Sequence, residues 1–294
     1  MFIPPGFCQQ SVSTSLGKMV YYTPNLPSAS PQYGKPSLVF LHGFGGGSSA
    51  YEWSKVFPAF AFEYQVLAPD LIGWGRSDHP ERNYLVEDYV STILEFLEQT
   101  TQEATTVIAS SLTAAIVVRA AIARPELFKS LVLSAPAGLA DFGEDNTRNF
   151  FTQLVKTPVI DRLIYRVGIA NRDGIRRFLE ERQFANPKRI YPEIVEAYLA
   201  SAQQPNAEYA ALSFVRGDLS FDLSLYLPQL KVPTTMIWGK EANLTKVEIG
   251  NRLVQLNPDA IKQYLVLEDS GLTPHLELPA IAIGQIRKHL SLFF

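Results

Sequence analysis

What most constrains this chain is a rhythm that runs to about residue 138, stops, and later resumes. Short apolar runs alternate with stretches of helical period. Ser37-Leu-Val-Phe-Leu41 ends at His42-Gly43, and Tyr64-Gln-Val-Leu-Ala68 ends at Pro69-Asp70. Thr105–Ala109 is β-branched, and Ser130–Ser134 is the next such run. Their length and turn-residue boundaries predict buried strands, with an earlier strand over Gly17–Thr23. Leu85–Gln99 has apolar residues at 86, 89, 90, 93, 94, 96 and 97, which is helical spacing. Leu112–Ala123 is mostly apolar, so as a helix it must be buried; Arg124-Pro125 stops it. Strands alternating with helices imply a mainly parallel sheet covered on both faces, an α/β fold.

From about 139 to 229 no strand pattern occurs. Helical patterns run through Thr147–Lys156, Pro158–Val167, Asp173–Gln183, Pro192–Gln203 and Ala207–Val215, with Pro158, Pro187, Pro192 and Pro205 between them. The α/β rhythm then returns: a strand over Pro233–Trp238, a helix over Lys246–Leu256, a strand over Ile261–Leu267 and a closing helix over Pro279–Leu292. The simplest account is an α/β core, residues 1–138 and 230–294, interrupted by a helical insertion at 139–229. A chain of 294 residues is long enough for that division.

Composition removes several function classes. A net charge of −3 gives no electrostatic reason to expect nucleic acid or an anionic membrane as partner. No apolar stretch is long enough to span a bilayer, and the N-terminus lacks a basic region followed by a long apolar run. The single cysteine, Cys8, rules out an internal disulfide and fits a reducing compartment. A cytoplasmic protein without cofactor or metal is expected.

Three segments carry possible chemistry. His42-Gly43-Phe44-Gly45-Gly46-Gly47 follows a strand, and its glycines let backbone N–H groups approach a ligand. It matches neither Gly-x-Gly-x-x-Gly nor the Walker pattern. Ala109-Ser110-Ser111-Leu112-Thr113 lies between a strand and a helix. A serine on such a turn needs small residues two positions away on either side, because strand and helix pass closely. Ser111 has Ala109 and Thr113 there; Ser110 would have bulky Ile108. A serine in this place can also be only a helix cap. Asp70-Leu-Ile-Gly-Trp-Gly-Arg-Ser-Asp78 is a glycine-shaped loop whose aspartate is suited to bonding its own amides.

Together with Trp238-Gly239 after a strand and Gly271-Leu-Thr-Pro-His275-Leu-Glu277-Leu-Pro279 after the last, these segments resemble the ordered motifs of the α/β-hydrolase fold superfamily. The resemblance covers roughly residues 15 to 294, and the helical insertion falls where that family carries its cap. It implies Ser111 at the nucleophile position and the N–H groups of Phe44 and Leu112 as the oxyanion hole. It places the acid at Ala242, the fifth residue of Trp238-Gly-Lys-Glu-Ala242, and the base at Leu272. Neither side chain can titrate. A serine hydroxyl is a poor nucleophile without a base, and losing the base of such a triad costs about 10⁶ in rate.

Of the four histidines, His42 opens the oxyanion loop as a structural residue, while His79 and His289 are expected at the surface. His275, three residues past the base position, is the candidate displaced base, against the plainer role of a packing residue. Asp141 and Glu241 are the substitutes considered for the acid. Phe150, Phe151, Leu154 and Tyr165 are spaced to line one side of a pocket or simply to glue the insertion to the core. The expected function is binding of a small apolar molecule between cap and core, with weak catalysis or none. The alternatives are an active serine hydrolase of esters or related bonds using His275, and a scaffold that binds a partner.

Overall fold

The structure, a computed structural model, describes residues 3–25, 34–144 and 165–293. Its strands are β1 (Phe7–Thr14), β2 (Gly17–Pro24), β3 (Ser37–Leu41), β4 (Gln65–Pro69), β5 (Thr105–Ser110), β6 (Phe128–Ser134), β7 (Thr234–Gly239) and β8 (Ile261–Leu267). They form an eight-stranded sheet in the order β1-β2-β4-β3-β5-β6-β7-β8. The pairs β1–β2 and β2–β4 are antiparallel, and the rest are parallel. The expected α/β architecture is therefore present, with most of its strands where periodicity puts them.

β1 is a strand that periodicity does not predict. Phe-Cys-Gln-Gln-Ser-Val-Ser-Thr is largely polar, and none of it is fully buried. It is held by an unbroken antiparallel ladder to β2, from Phe7↔Pro24 to Thr14↔Gly17, rather than by burial. The central strands behave differently. Leu38 and Phe40 pack on one face, Val39 and Leu41 on the other, as the two-residue period requires.

Helix α1 (Val86–Thr100) and helix α2 (Ser111–Ala123) cover the face that carries Val39 and Leu41. Nearly every side chain of α2 is buried, as its uniform apolarity demanded. Between β6 and β7 lie α3 (Arg172–Phe178), α4 (Pro192–Ala202) and α5 (Ala207–Arg216). α3 continues into a π-helical turn over Leu179–Gln183, so the helix expected there changes pitch midway. The pattern at Thr147–Lys156 and most of that at Pro158–Val167 lie outside the described residues. The fold closes with α6 (Val247–Gln255), the short α7 (Pro274–Glu277) and α8 (Pro279–Phe293). None of the described helices is long and apolar enough to cross a membrane.

The chain leaves β6 and returns toward β7 through a common point. Leu139 bridges Phe221, and the buried Asp141 carboxylate accepts from the N–H groups of both Gly138 and Leu223, at 3.0 and 2.8 Å.

Two histidines depart from their expected surface positions. His79 is half-buried. His289 has no exposed surface at all. α8 lies against the second face of the sheet through Ala282, Ile286 and Leu290, and His289 falls on the same stripe. Its Nδ1 pairs with Thr235 Oγ1 at 2.8 Å and its Nε2 with Ser130 Oγ at 2.9 Å, while Ser130 in turn pairs with Thr106 Oγ1 at 2.8 Å. Three strands and the last helix thus share one buried polar chain.

Candidate active site

β3, β5, β6, β7 and β8 run parallel, so their C-terminal ends share one edge of the sheet, and the expected site loops gather there. Open α/β sheets place their ligands at that edge. Ser111 sits at the junction of β5 and α2 with φ of 55°, the left-handed region. For a non-glycine residue that conformation costs about 1–3 kcal/mol and persists only where surrounding packing enforces it. Ala109 and Thr113, the small flanks, are fully buried where strand and helix pass. Among the described residues, none forms a hydrogen bond with the Ser111 side chain.

Because α2 starts at Ser111, the Leu112 N–H has no acceptor one turn back within the helix. Neither it nor the Phe44 N–H donates to a described residue. His42 is fixed below this loop: Leu71 N–H donates to its Nε2 at 3.0 Å, so Nδ1 carries the proton and donates to the Gly43 carbonyl at 2.7 Å. Asp70 accepts from Ala50 N, Arg76 N and Tyr22 Oη and shapes the neighbouring loop.

A carboxylate that sequence patterns did not single out lies in the middle of this arrangement. Glu52, on the 3-10 turn Ala50–Trp53 after the glycine-rich loop, is 1 % exposed. Its Oε2 accepts the Gly43 N–H at 2.8 Å, and its Oε1 accepts the Tyr198 hydroxyl of α4 at 3.0 Å. A methyl group placed on Gly43 would lie 3.2 Å from Ser110 Oγ, 3.4 Å from Ser111 Cβ and 3.6 Å from Glu52 Oε2, so all three surround one backbone position. Burial opposes ionisation of Glu52, and an imidazole beside it favours ionisation only when that ring carries a proton. The one signal in the sequence was an acid between two aromatic residues, Tyr51 and Trp53.

His275 lies beside Glu52 rather than bonded to Ser111. Its ring stacks on Trp53, with centroids 3.8 Å apart at 13°, and its Nε2 is 3.9 Å from Glu52 Oε2, too long for a hydrogen bond. Both ring nitrogens are buried without a hydrogen-bond partner among the described residues. Burial lowers its pKa against the pull of Glu52, so the ring is neutral at pH 7.

Leu272 and Ala242, at the base and acid positions the resemblance implies, are both buried. The Leu272 N–H donates to the Gln183 carbonyl at 2.8 Å. Glu277 accepts from Gly271 N at 2.6 Å and Ala185 N at 3.0 Å, fastening the tail segment to the helical insertion. The two substitute acids are engaged elsewhere. Glu241 accepts from Ser270 N at 2.9 Å, and Asp141 takes the Gly138 and Leu223 amides while burial pushes its pKa up to about 6.

A mostly apolar cavity of about 170 Å³ adjoins the glycine-rich loop. Its walls include Gly45, Gly46, Trp74, Ile175, Phe178 and Phe214. The Phe44 ring meets Trp74 edge-on at 5.3 Å and stacks on Phe214 at 6.3 Å, which ties this wall to the loop carrying the free N–H. Tyr165 is buried with its hydroxyl donating to the Ala202 carbonyl and does not line this cavity; Phe150, Phe151 and Leu154 lie outside the described residues.

Known proteins share this framework. The α/β hydrolase fold family matches residues 36–279. The uncharacterized hydrolase YugF of Bacillus subtilis is 26% identical over 264 residues, covering 88% of this chain and 90% of its own. An uncharacterized protein of Mycobacterium tuberculosis is 31% identical over 268 residues, covering 87% of this chain and 75% of its own. Among solved structures, a serine hydrolase involved in carbazole degradation superposes with a TM-score of 0.77 at 18% identity, covering 97% of this chain and 99% of its own.

Proposed function

This chain belongs to the α/β-hydrolase fold family, and we propose that it binds a small apolar molecule between oxyanion loop and cap rather than turning over esters with a serine–histidine–acid triad. One observation carries this. The residues at the base and acid positions are a buried leucine and a buried alanine, and the candidate substitute, His275, is stacked on Trp53 with no hydrogen bond to Ser111. A hydroxyl with no base in reach stays protonated and weakly nucleophilic. An oxyanion hole and binding alone leave about 10³–10⁴ over the uncatalysed rate. The apolar body of the ligand occupies the cavity walled by Trp74, Phe178 and Phe214. Its polar end accepts the Phe44 and Leu112 N–H groups. The cap is the stretch 139–229, whose described residues supply most of the cavity's apolar wall.

A second reading, an active serine hydrolase using Ser111 with His275, is favoured by the left-handed backbone at Ser111. Such strain marks functional positions. The third, a partner-binding scaffold, has no site-specific support. A fluorophosphonate probe separates the first two. Labelling no faster than on denatured protein is expected; rapid labelling abolished by Ser111→Ala and by His275→Ala overturns the binding reading in favour of the hydrolase. Mass spectrometry of the native protein tests the third, since a scaffold retains no apolar molecule on purification.

A further inference from the structure

β8 ends the sheet on the side away from β1 and has a strand neighbour on one side only. The Lys240 N–H donates to the Leu267 carbonyl, so Leu267 turns its backbone groups toward β7. Because these groups alternate in direction along a strand, Gln263 and Leu265 do the same, while Lys262, Tyr264 and Val266 turn theirs outward. No described residue hydrogen-bonds to those outward groups. Ile-Lys-Gln-Tyr-Leu-Val-Leu contains no proline or glycine to interrupt a further ladder. The opposite edge is covered differently. α1 lies over β1, where Gln99 Nε2 donates to the Ser13 carbonyl at 2.9 Å and Glu95 accepts the Ser15 N–H at 2.6 Å. A regular open edge such as that of β8 is a template for another strand.

The side chains specify which strand fits. Lys262, Tyr264, Val266 and Glu268 alternate onto one face, with Lys262, Val266 and Glu268 exposed. Let two copies of β8 pair antiparallel about a twofold axis at Leu265. Outward backbone groups then meet outward backbone groups. Lys262 stands opposite Glu268 of the partner subunit, Tyr264 stands opposite Val266 of the partner subunit, and each pairing occurs twice. Opposite charges and aromatic–β-branched pairs are the combinations that stabilise directly opposed strands. Moving the axis by one residue destroys both: at Tyr264 it sets Lys262 against a valine, and at Val266 it sets Tyr264 against a glutamate. The Lys262 ammonium has no acid partner among the described residues. Glu268 is paired with the exposed Lys240 at 2.7 Å, and its carboxylate has lone pairs left for a second cation. Charges on an edge ordinarily keep strands apart, but in this register they match. We infer that a second copy of this chain docks on β8, antiparallel about Leu265, so that one sheet runs through both copies. On the other face, the partly exposed Leu265 and Leu267, which pack with Ile283, lie at the axis and become covered. This interface does not depend on what the cavity binds.

Sedimentation velocity of the full chain should show a dimer that dissociates on dilution. Val266→Pro removes only an outward N–H, so it should abolish the dimer while leaving the ladder to β7 intact. Lys262→Glu sets acid against acid twice and should raise the dimer dissociation constant by about tenfold; adding Glu268→Lys should bring it back to within about threefold of the wild type. Hydrogen exchange on the wild type needs no variant. The Tyr264 and Val266 amides should exchange about tenfold or more slower in the dimer than in the diluted monomer, while those of Gln263, Leu265 and Leu267 stay protected in both. A wild type that is monomeric up to its solubility limit overturns the inference. So does a dimer that survives Val266→Pro, or one in which the Tyr264 and Val266 amides exchange as fast as in the monomer. A charge reversal that the double variant does not rescue overturns the register about Leu265, and the inference with it.

Discussion

His289 gives this protein an acid-sensitive core. The ring is fully buried between Thr235 and Ser130, and burial lowers its pKa from the ordinary 6.5 to about 4. A base whose pKa falls on folding binds protons more readily when unfolded. Its neutral form therefore supports the fold fully above the ordinary value, and that support drains away as pH falls, levelling off below about 4. At about 1.36 kcal/mol per pKa unit, complete protonation costs about 3 kcal/mol, and about 2 kcal/mol of that is lost between roughly pH 7.5 and pH 5. Other groups titrate across the same window, Asp141 in the opposite direction, so the informative quantity is a difference between proteins. Gln in place of His289 can still reach a hydroxyl partner but cannot take up a proton. Urea denaturation of wild type and His289→Gln at about pH 7.5 and about pH 5 should show the wild type losing about 2 kcal/mol more than the variant. Parallel losses, within about 0.5 kcal/mol, or an imidazole that titrates near 6.5 by NMR, would refute the assignment of this ring to the core.

Asp141 should act with the reverse sign. Its folded pKa of about 6 lies above the ordinary 3.8, so its contribution is full below 3.8 and is lost as pH rises through 6. Asp141→Asn should remove up to about 3 kcal/mol of that pH dependence, read by the same denaturation series. Gly47→Ala should be strongly destabilising: the backbone has φ of 97°, and the added methyl would meet the Tyr198 carbonyl at 2.1 Å. A loss of roughly 3 kcal/mol or more is expected, and a loss under about 1 kcal/mol would mean that α4 is not seated on the glycine-rich loop. Tyr198→Phe removes one donor from the buried Glu52 and should cost about 1–3 kcal/mol, measured as a shift in urea midpoint at constant slope.

The sequence is readable where burial alone decides structure. Thr105–Ser110 and Ser111–Ala123 are wholly or almost wholly buried, and their apolar runs leave little choice but a central strand and a covered helix. The elbow is legible because Ala109 and Thr113 must be small for those two elements to pass. β1 is not legible, since backbone pairing to β2 fixes it and polar side chains give no period. His289 could have been placed from its spacing with Ala282, Ile286 and Leu290, but a histidine's apolar stripe reads as polar unless hydroxyls wait opposite it. Glu52 is the harder case. Its meaning depends on Gly43, Tyr198 and His275, which are far apart in sequence and meet only in the folded chain.

The clasp at Asp141 bears on how such a protein can change over time. Gly138 and Leu223 are gathered by one carboxylate, and Leu139 pairs with Phe221 just beyond. From the viewpoint of the sheet, the excursion between β6 and β7 departs and returns through a single doorway. A change of length beyond that doorway need not pass through either strand, but it must preserve the seats of Tyr198 on Gly47 and of Gln183 on Leu272.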